Sequence, residues 1–330
     1  MVTRPCPACG GRLRFWRSVP ASDPALGSRS FELLRCSACG TAVTVDDAVV
    51  DLHETGAYGG GSPRLSYAAL PVLRRFDARR LSVLGAPVGA RLLDVGAGRG
   101  RFVLSARAAG YDAFGIEPSA RGVSAAALIG APVEHSSVAD ASISEGSVDA
   151  VTLWHVLEHL DDPGSALLRI RDWLRPGGAL LVGMPNLDSW QARIGGSRWY
   201  HLDVPRHRVH FTVAGIRALL ERSGFEPVRT EHLLLEHNPF GMWQSIVNRF
   251  TRTPSYLYNL LKRNAPARSR DALITAAALP LAPAAAALEV VAGLAGRGGT
   301  IAVLARRPGA PPAPPASPAA PSSDPPLRPE

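Results

Sequence analysis

Residues 92–100 read LLDVGAGRG, and no other stretch constrains this chain as tightly. Two leucines and a valine bracket Asp94 as they would in a short buried strand. Gly96, Gly98 and Gly100 follow at alternate positions, and an amphipathic pattern starts at Arg101. A strand that enters a glycine turn and then a helix brings backbone N–H groups close to a nucleoside-type ligand. Glu117 ends a second apolar stretch, residues 111–116, where a carboxylate can accept hydrogen bonds from both ribose hydroxyls.

The glycine spacing separates ligand classes. The nicotinamide fingerprint G-x-G-x-x-G places its third glycine where this chain has Arg101. The pattern here is D-x-G-x-G-x-G, with an acid just before the turn. That acid would repel a pyrophosphate and suit a cation. With these residues the sequence resembles the class I S-adenosylmethionine-dependent methyltransferases, over about residues 91–224 and again at 299–307. Further pieces carry the resemblance: SVDAVTLWH at 147–155 is similar to the family's fourth strand, VLEHLDDP at 156–163 to the segment after it, LRPGGALLV at 174–182 to the turn into the fifth, and SGF at 223–225 to the end of the helix before the sixth.

The resemblance implies an α/β fold: a Rossmann-like, doubly wound, seven-stranded sheet with an antiparallel last strand. It implies S-adenosylmethionine as cofactor. Ligands of open α/β sheets bind beyond the carboxyl ends of the strands. The cofactor residues expected on that rule are Asp94, Gly96, Ala97, Gly98 and Gly100, then Glu117 and Pro118, then Trp154 and His155. Residues 137–140 should pass the adenine.

All four cysteines lie in the first forty residues, as CPACG at 6–10 and CSACG at 36–40. Each C-x-x-C-G knuckle points two thiolates at one ion, and two knuckles complete a tetrahedral zinc site. Cys6, Cys9, Cys36 and Cys39 are therefore expected to hold a structural Zn²⁺ in a ribbon over residues 1–45, with strands near 12–17 and 30–35. Two disulfides are the competing reading. Forty residues bury too little apolar surface to fold alone, and zinc would supply the missing stability. The ribbon could bind RNA, dock a partner or cover the substrate cleft.

Beyond the ribbon, residues 46–90 read as a linker and a helix over 66–84. The linker is glycine-rich and holds Tyr58, which the resemblance makes a candidate to close over the cofactor. Strands then alternate with helices: strand 91–95, helix 101–109, strand 111–116, helix 119–129, a short strand near Val133, strand 148–154, helix 164–174, strand 179–184, helix 212–223 and strand 226–236. Such alternation specifies a parallel sheet. Residues 300–305 should insert as the antiparallel last strand. The domain of residues 91–307 thus carries a helical apolar insert at about 238–297. Its stretch 272–296 is apolar except for Glu289 and is broken by Pro280 and Pro283. It is long enough to cross a bilayer. A single crossing would strand the last strand on the wrong side, so helices that cap the cleft, form a dimer surface or lie in the membrane interface are expected. Arginines and aromatic residues interleave upstream, so peripheral membrane contact is expected over about 249–296. The Pro/Ala-rich tail, 308–330, should be disordered.

Two polar clusters remain. HVLEH at 155–159 matches the H-x-x-E-H zinc-protease helix, but it follows a strand directly and precedes Asp161, Asp162 and Pro163, so no long helix is available. Ubiquinone O-methyltransferases resemble this stretch, and there a Glu–His pair helps hold a divalent ion near a catechol. Glu158 and His159 could do the same. The second cluster, WYHLDVPRHRVHF at 199–211, falls where the family builds its acceptor pocket. An ordinary histidine titrates near neutrality, which suits a general base. His207 is the first candidate, His210 the second, and His155 lies at the reacting end of the cofactor. The alternative is that Asp203 and Arg206 pair and the histidines pack.

The formal net charge of +8 is carried almost wholly by arginine and would favour acidic partners. No basic block reaches the length of a nucleic-acid tail, and no Asn/Asp-Pro-Pro-Tyr/Phe signature follows the fourth strand, which disfavours RNA. The expected acceptor is a small or lipid-linked molecule, methylated at oxygen or carbon. An RNA methyltransferase and a non-catalytic scaffold are the rivals. The first residues show no apolar signal region, so the expected location is the cytoplasm, or peripherally the inner face of the membrane.

Overall fold

The computed structural model describes residues 5–45, 63–262 and 268–309. Tyr58 and residues 310–330 lie outside them.

The larger sheet has seven strands. In chain order they are β4 (Arg91–Val95), β5 (Asp112–Glu117), β6 (Val133–His135), β7 (Val148–Trp154), β8 (Leu174–Pro185), β10 (Glu226–Glu231) and β11 (Thr300–Arg306). Their spatial order is β10-β11-β8-β7-β4-β5-β6. Five strands run parallel through the pairs β5·β6, β4·β5, β4·β7 and β7·β8, while β11 is antiparallel to both β8 and β10. The last strand therefore returns between the fifth and sixth, as its sequence led us to expect.

Helices cover both faces. α1 (Pro63–Leu84) and α2 (Arg101–Ala108) pack Leu81, Leu84, Phe102 and Val103 on one face, against Leu92 and Ala150. α4 (Pro163–Trp173) and α6 (Val213–Arg222) pack Leu167, Ile170, Ile216 and Leu220 on the other, against Leu93, Val95 and Val151. α3 (Ala120–Leu128) follows β5, and the short α5 (Trp190–Gly195) follows β8. Side chains cap the helix starts: Asp162 accepts from the Ser165 N–H (3.0 Å), with Pro163 in the first turn, and Thr212 accepts from the Gly215 N–H (2.9 Å).

The amino-terminal strands β1 (Leu13–Pro20), β2 (Ser30–Cys36) and β3 (Ala42–Val45) form a second, antiparallel sheet. β3 closes the ribbon sheet and pairs onward with β9 (Val209–His210), a piece of the larger body, through Ala42↔His210 and Val43↔Val209. The edge of a small sheet leaves ladder groups unpaired, and here a strand from residue 209 satisfies them. Cys6, Ala8 and Cys36 share one apolar core with Val209 and Phe211. The ribbon is thus built into the body.

Between β10 and β11 lie α7 (Asn238–Val247), α8 (Tyr256–Leu261), α9 (Ser269–Ala278) and α10 (Ala282–Leu294). Within the 26 residues of Ser269–Leu294 an 18-residue stretch reaches a mean hydropathy of 1.7, sufficient by length and composition for a bilayer. A 3₁₀ turn, Leu279–Leu281, interrupts them, and both flanking strands belong to one sheet. One face of α10 is buried through Ala285, Glu289 and Ala292, while Leu281, Val291 and Leu294 are exposed.

Gly96, Gly98 and Gly100 all adopt positive φ, 57–73°. At Gly100 a Cβ would stand 2.3 Å from that of Ala131. Gly100→Ala should therefore destabilise the fold by about 3 kcal/mol through strain and overpacking. A lowered urea midpoint at unchanged slope would bear this out; an unchanged midpoint would not.

Candidate active site

A cavity of about 610 Å³ opens beyond the carboxyl ends of β4, β5 and β7. One end is lined by Gly96, Glu117, Pro118 and residues 136–138, the other by the 200–207 segment. His155 stands between them.

The cofactor end follows from the glycine turn. Glu117 is 4% exposed, and its carboxylate accepts from the backbone N–H groups of Gly98 (2.8 Å) and Ser119 (2.9 Å). Each oxygen keeps a second lone pair for a ribose hydroxyl. A side chain at Gly122 would stand 2.8 Å from the Glu117 Cγ, so a glycine in the next helix permits this approach. Arg169 fixes the 138–141 turn at this end by donating to the carbonyls of Val138 (2.9 Å) and Ala141 (3.2 Å).

Not every expected cofactor residue reaches the cavity. Gly96, Glu117, Pro118 and His155 line it; Ala97, Gly98 and Gly100 build the turn without lining it. Asp94 corrects the expectation that the acid faces a cation. Alternate residues of a strand point to opposite faces. Val95 faces the cavity, so Asp94 turns behind the sheet and accepts from the Thr152 hydroxyl (2.6 Å). Burial pushes its pKa up to about 6, against the pull of Arg80. Trp154 also lies behind, with the Arg80 guanidinium 4.1 Å from its ring centroid. The exclusion of a pyrophosphate on the ground of Asp94's charge therefore falls.

The acceptor end is a box of histidines. His155 has φ of 56°, a left-handed conformation that a side chain adopts at a cost. Its Nδ1 lies 3.0 Å from Glu158 Oε1, and its ring stacks parallel to that of His201. Glu158 sits in a one-turn 3₁₀ segment, Leu157–His159, too short for the protease helix motif. It is 1% exposed. Burial opposes its charge, but the His155 hydrogen bond and the nearby His159 and His207 outweigh it, holding the carboxyl at about 2. Its Oε2 is buried without a hydrogen-bond partner among the described residues. One oxygen of Glu158 and one ring nitrogen each of His159 and His207 lie within 4.8 Å of one another.

Both rings are oriented from behind. His159 Nδ1 meets the Arg206 carbonyl (3.0 Å) and His207 Nδ1 the His201 carbonyl (2.9 Å). A carbonyl only accepts, so in each neutral ring Nδ1 carries the proton and Nε2 the lone pair. Burial lowers the His207 pKa to about 4. His207 is thus an unprotonated but weak base, better suited to donating a lone pair than to storing a proton.

His210 is corrected. It does not line the cavity; its Nε2 meets Thr44 Oγ1 at 3.0 Å, and that hydroxyl donates to the His207 carbonyl at 2.7 Å. Asp203 and Arg206 do pair, at 2.6 and 2.9 Å, and Arg206 also reaches Asp23 at 3.3 Å. The remaining wall was not legible in sequence. Ser22 of the ribbon, Tyr200, His201 and His237 line it, with Tyr258 and Lys262 at the insert. His201 and Tyr200 lay inside a cluster already singled out, and Tyr258 and Lys262 inside the interleaved basic and aromatic run; nothing local marked Ser22 or His237.

The four thiols of the ribbon come together. Cys6 and Cys39 Sγ are 3.7 Å apart, and Cys9 and Cys36 Sγ 3.5 Å. A disulfide requires about 2.05 Å, whereas four sulfurs on a tetrahedral ion with bonds of about 2.3 Å stand about 3.8 Å apart. Thr212 Oγ1 donates to the Cys39 carbonyl (2.6 Å), tying the knuckle to the cap of α6.

Residues 70–230 match a family model described as a methyltransferase domain. A ubiquinone biosynthesis O-methyltransferase of Dinoroseobacter shibae is 30% identical over 174 residues, 49% of this chain and 69% of that protein. An uncharacterised 37.1 kDa protein from a Streptomyces fradiae transposon is 32% identical over 187 residues, 54% of this chain; the chain spans about half, 51%, of that relative's length. A solved complex between a Haloferax volcanii methyltransferase activator and a methyltransferase matches in fold, with a TM-score of 0.50 at 15% identity over 75% of this chain and 95% of that one. The chain belongs to the class I S-adenosylmethionine-dependent methyltransferases.

Burial holds folded His210 neutral down to about pH 3, while an unfolded histidine takes its proton near 6.5. The unfolded state binds more protons in between, so this contribution to stability is complete above pH 6.5 and is lost as pH falls toward 3. His210→Gln cannot protonate. It should flatten stability against pH in that window by up to about 1.4 kcal/mol per unit, measured by urea unfolding.

Proposed function

We propose that this protein O-methylates a small, hydroxylated, apolar acceptor, with a divalent ion held at the acceptor end of the cavity. The observation that carries this reading is Glu158 Oε2, buried and unpartnered beside His159 and His207. Two imidazoles and a carboxylate suit a divalent ion, and the carbonyls behind both rings are the outer partners such ligands use. The ion would polarise an acceptor hydroxyl.

S-adenosylmethionine, when bound, supplies an electrophilic methyl group. The chain's part is largely placement. Glu117 would hold the ribose, and residues 136–138 would flank the adenine. His155, clamped by Glu158, His201 and His237, would set where donor and acceptor meet. Holding reacting atoms about 3–3.5 Å apart supplies much of the acceleration.

The apolar acceptor is inferred from the insert. Tyr258 and Lys262 line the cavity, and Leu261, Leu273 and Leu281 are exposed on the same run of helices. A lipid-linked acceptor approaching from a membrane surface suits that arrangement. The cysteine cluster is read as a structural Zn²⁺ site. The ribbon's hairpin loop puts Ser22 into the cavity wall, which supports a covering role over a grip on RNA.

Glu158→Gln is expected to abolish Mn²⁺ binding, lower kcat/KM with a catechol acceptor about 100-fold, and leave S-adenosylmethionine affinity unchanged. Calorimetry and turnover decide it; retained Mn²⁺ affinity would remove the ion from this position. Cys6→Ser should release Zn²⁺ and raise the acceptor KM more than the S-adenosylmethionine Kd. A variant with full zinc content would overturn the ribbon assignment.

A further inference from the structure

A second recess lies across the 199–202 segment from the cavity. Its volume is about 350 Å³, and Trp16, Arg17, Arg35, Asp188, Arg193 and Arg297 contribute to its wall. Four guanidinium groups therefore meet one carboxylate. Arg35 is accounted for, since it donates to the Gly40 carbonyl (3.0 Å) and lies 3.6 Å from Asp188. Arg17, Arg193 and Arg297 have no carboxylate partner among the described residues. Arg17 is held with its guanidinium carbon 3.7 Å from the centroid of Trp16, whose other near neighbour is Arg35 at 5.0 Å. Burial, and then repulsion from Arg35, lower the Arg17 pKa.

Gathering like charges in a concave site is unfavourable unless an anion joins them. Guanidinium forks match phosphate oxygens in geometry and number. The recess also includes Trp199, only 3% exposed, whose indole N–H is buried without a hydrogen-bond partner among the described residues. An indole N–H can only donate, so it too calls for an acceptor. From these residues we infer that the recess binds a phosphate group, as a diphosphate or a phosphomonoester, between the ribbon and the catalytic body.

The two sites share one piece of chain. Trp199 and Leu202 face the recess, while Tyr200, His201 and Asp203 face the cavity. A phosphate bound behind this segment would brace the residues that wall the acceptor. Arg17 and Arg35 come from the ribbon and Arg193 and Arg297 from the body, so the same ligand would clamp the two together.

The test uses the full chain and the double variant Arg193→Gln, Arg297→Gln, since both arginines are exposed and their loss spares the fold. Pyrophosphate and glycerol 3-phosphate are titrated by calorimetry at constant ionic strength. Saturable binding that weakens about tenfold in the double variant, with S-adenosylmethionine affinity unchanged, is the expected result and identifies a soluble ligand. A parallel arm measures sedimentation with phosphatidylcholine vesicles with and without phosphatidate. Phosphatidate-dependent binding lost in the double variant supports the same site with a lipid headgroup as its source. No saturable binding in either arm, or binding that the double variant retains, or equal effects of pyrophosphate and chloride, would overturn the inference. Arg17→Lys keeps the charge and removes the fork; weakened phosphate binding there separates bidentate recognition from simple attraction.

Discussion

The cavity depends on one seam, where β3 of the ribbon pairs with β9 of the catalytic body. At that seam the Thr44 hydroxyl donates to the His207 carbonyl while its oxygen meets His210. Arg206 extends the seam by joining Asp203 of the body to Asp23 of the ribbon loop. The Thr44 contacts are buried, where a hydrogen bond lost from one partner leaves the other unsatisfied. Loosening the ribbon would therefore reach His207, Asp203 and Ser22 together. A small four-cysteine module becomes part of the cavity because its edge strand pairs with β9 and its hairpin loop supplies Ser22 to the wall.

The sheet separates two electrostatic regimes. Behind it, Asp94, Asp77 and Glu236 alternate with Arg80 and Arg101: Arg101 bonds Asp77 and lies 3.4 Å from Glu236, and Arg80 lies 3.7 Å from Glu236. Such a network offsets the cost of burying each charge, and removing one member leaves the rest uncompensated. In front, His201 and His207 are held neutral, chiefly by burial. Neutral rings present lone pairs and donors without crowding positive charge into the cavity. The acid of the glycine motif belongs to the first regime, so its contribution to the cofactor end is indirect: it anchors β4 to β7 through Thr152.

The insert is joined to the sheet by polar contacts and left apolar outside. Glu289 of α10 accepts from the Gly299 N–H and from Gln191, both at 2.8 Å, and burial pushes its pKa up to about 7. Asn238 accepts from the Thr300 hydroxyl (2.7 Å), fixing the start of α7. The anchored face thus points to β11, and Leu273, Leu281 and Leu294 are left exposed. That division explains how a stretch with the composition of a membrane span remains attached to a sheet.

Local chemistry was enough to specify the elements. Period-two apolar runs, glycine turns and Asp–Pro or Thr caps act within a few residues, so β4, β7, α4 and α6 fall close to their expected bounds, as does the antiparallel last strand. The paired C-x-x-C-G knuckles announced a four-thiol cluster for the same reason: each knuckle is a single turn. Only the tertiary structure decided which side chains share a wall. A one-residue step along β4 sends Asp94 behind the sheet, and sequence alone does not say which face will hold the ligand. His207 and His210, three residues apart, stood as first and second candidates until the pairing of β9 turned His210 to Thr44 and left His207 beside Glu158. Ser22 meets the Asn259 side chain across 237 residues of chain. No local signal encodes such a meeting, because it is fixed by how whole elements pack.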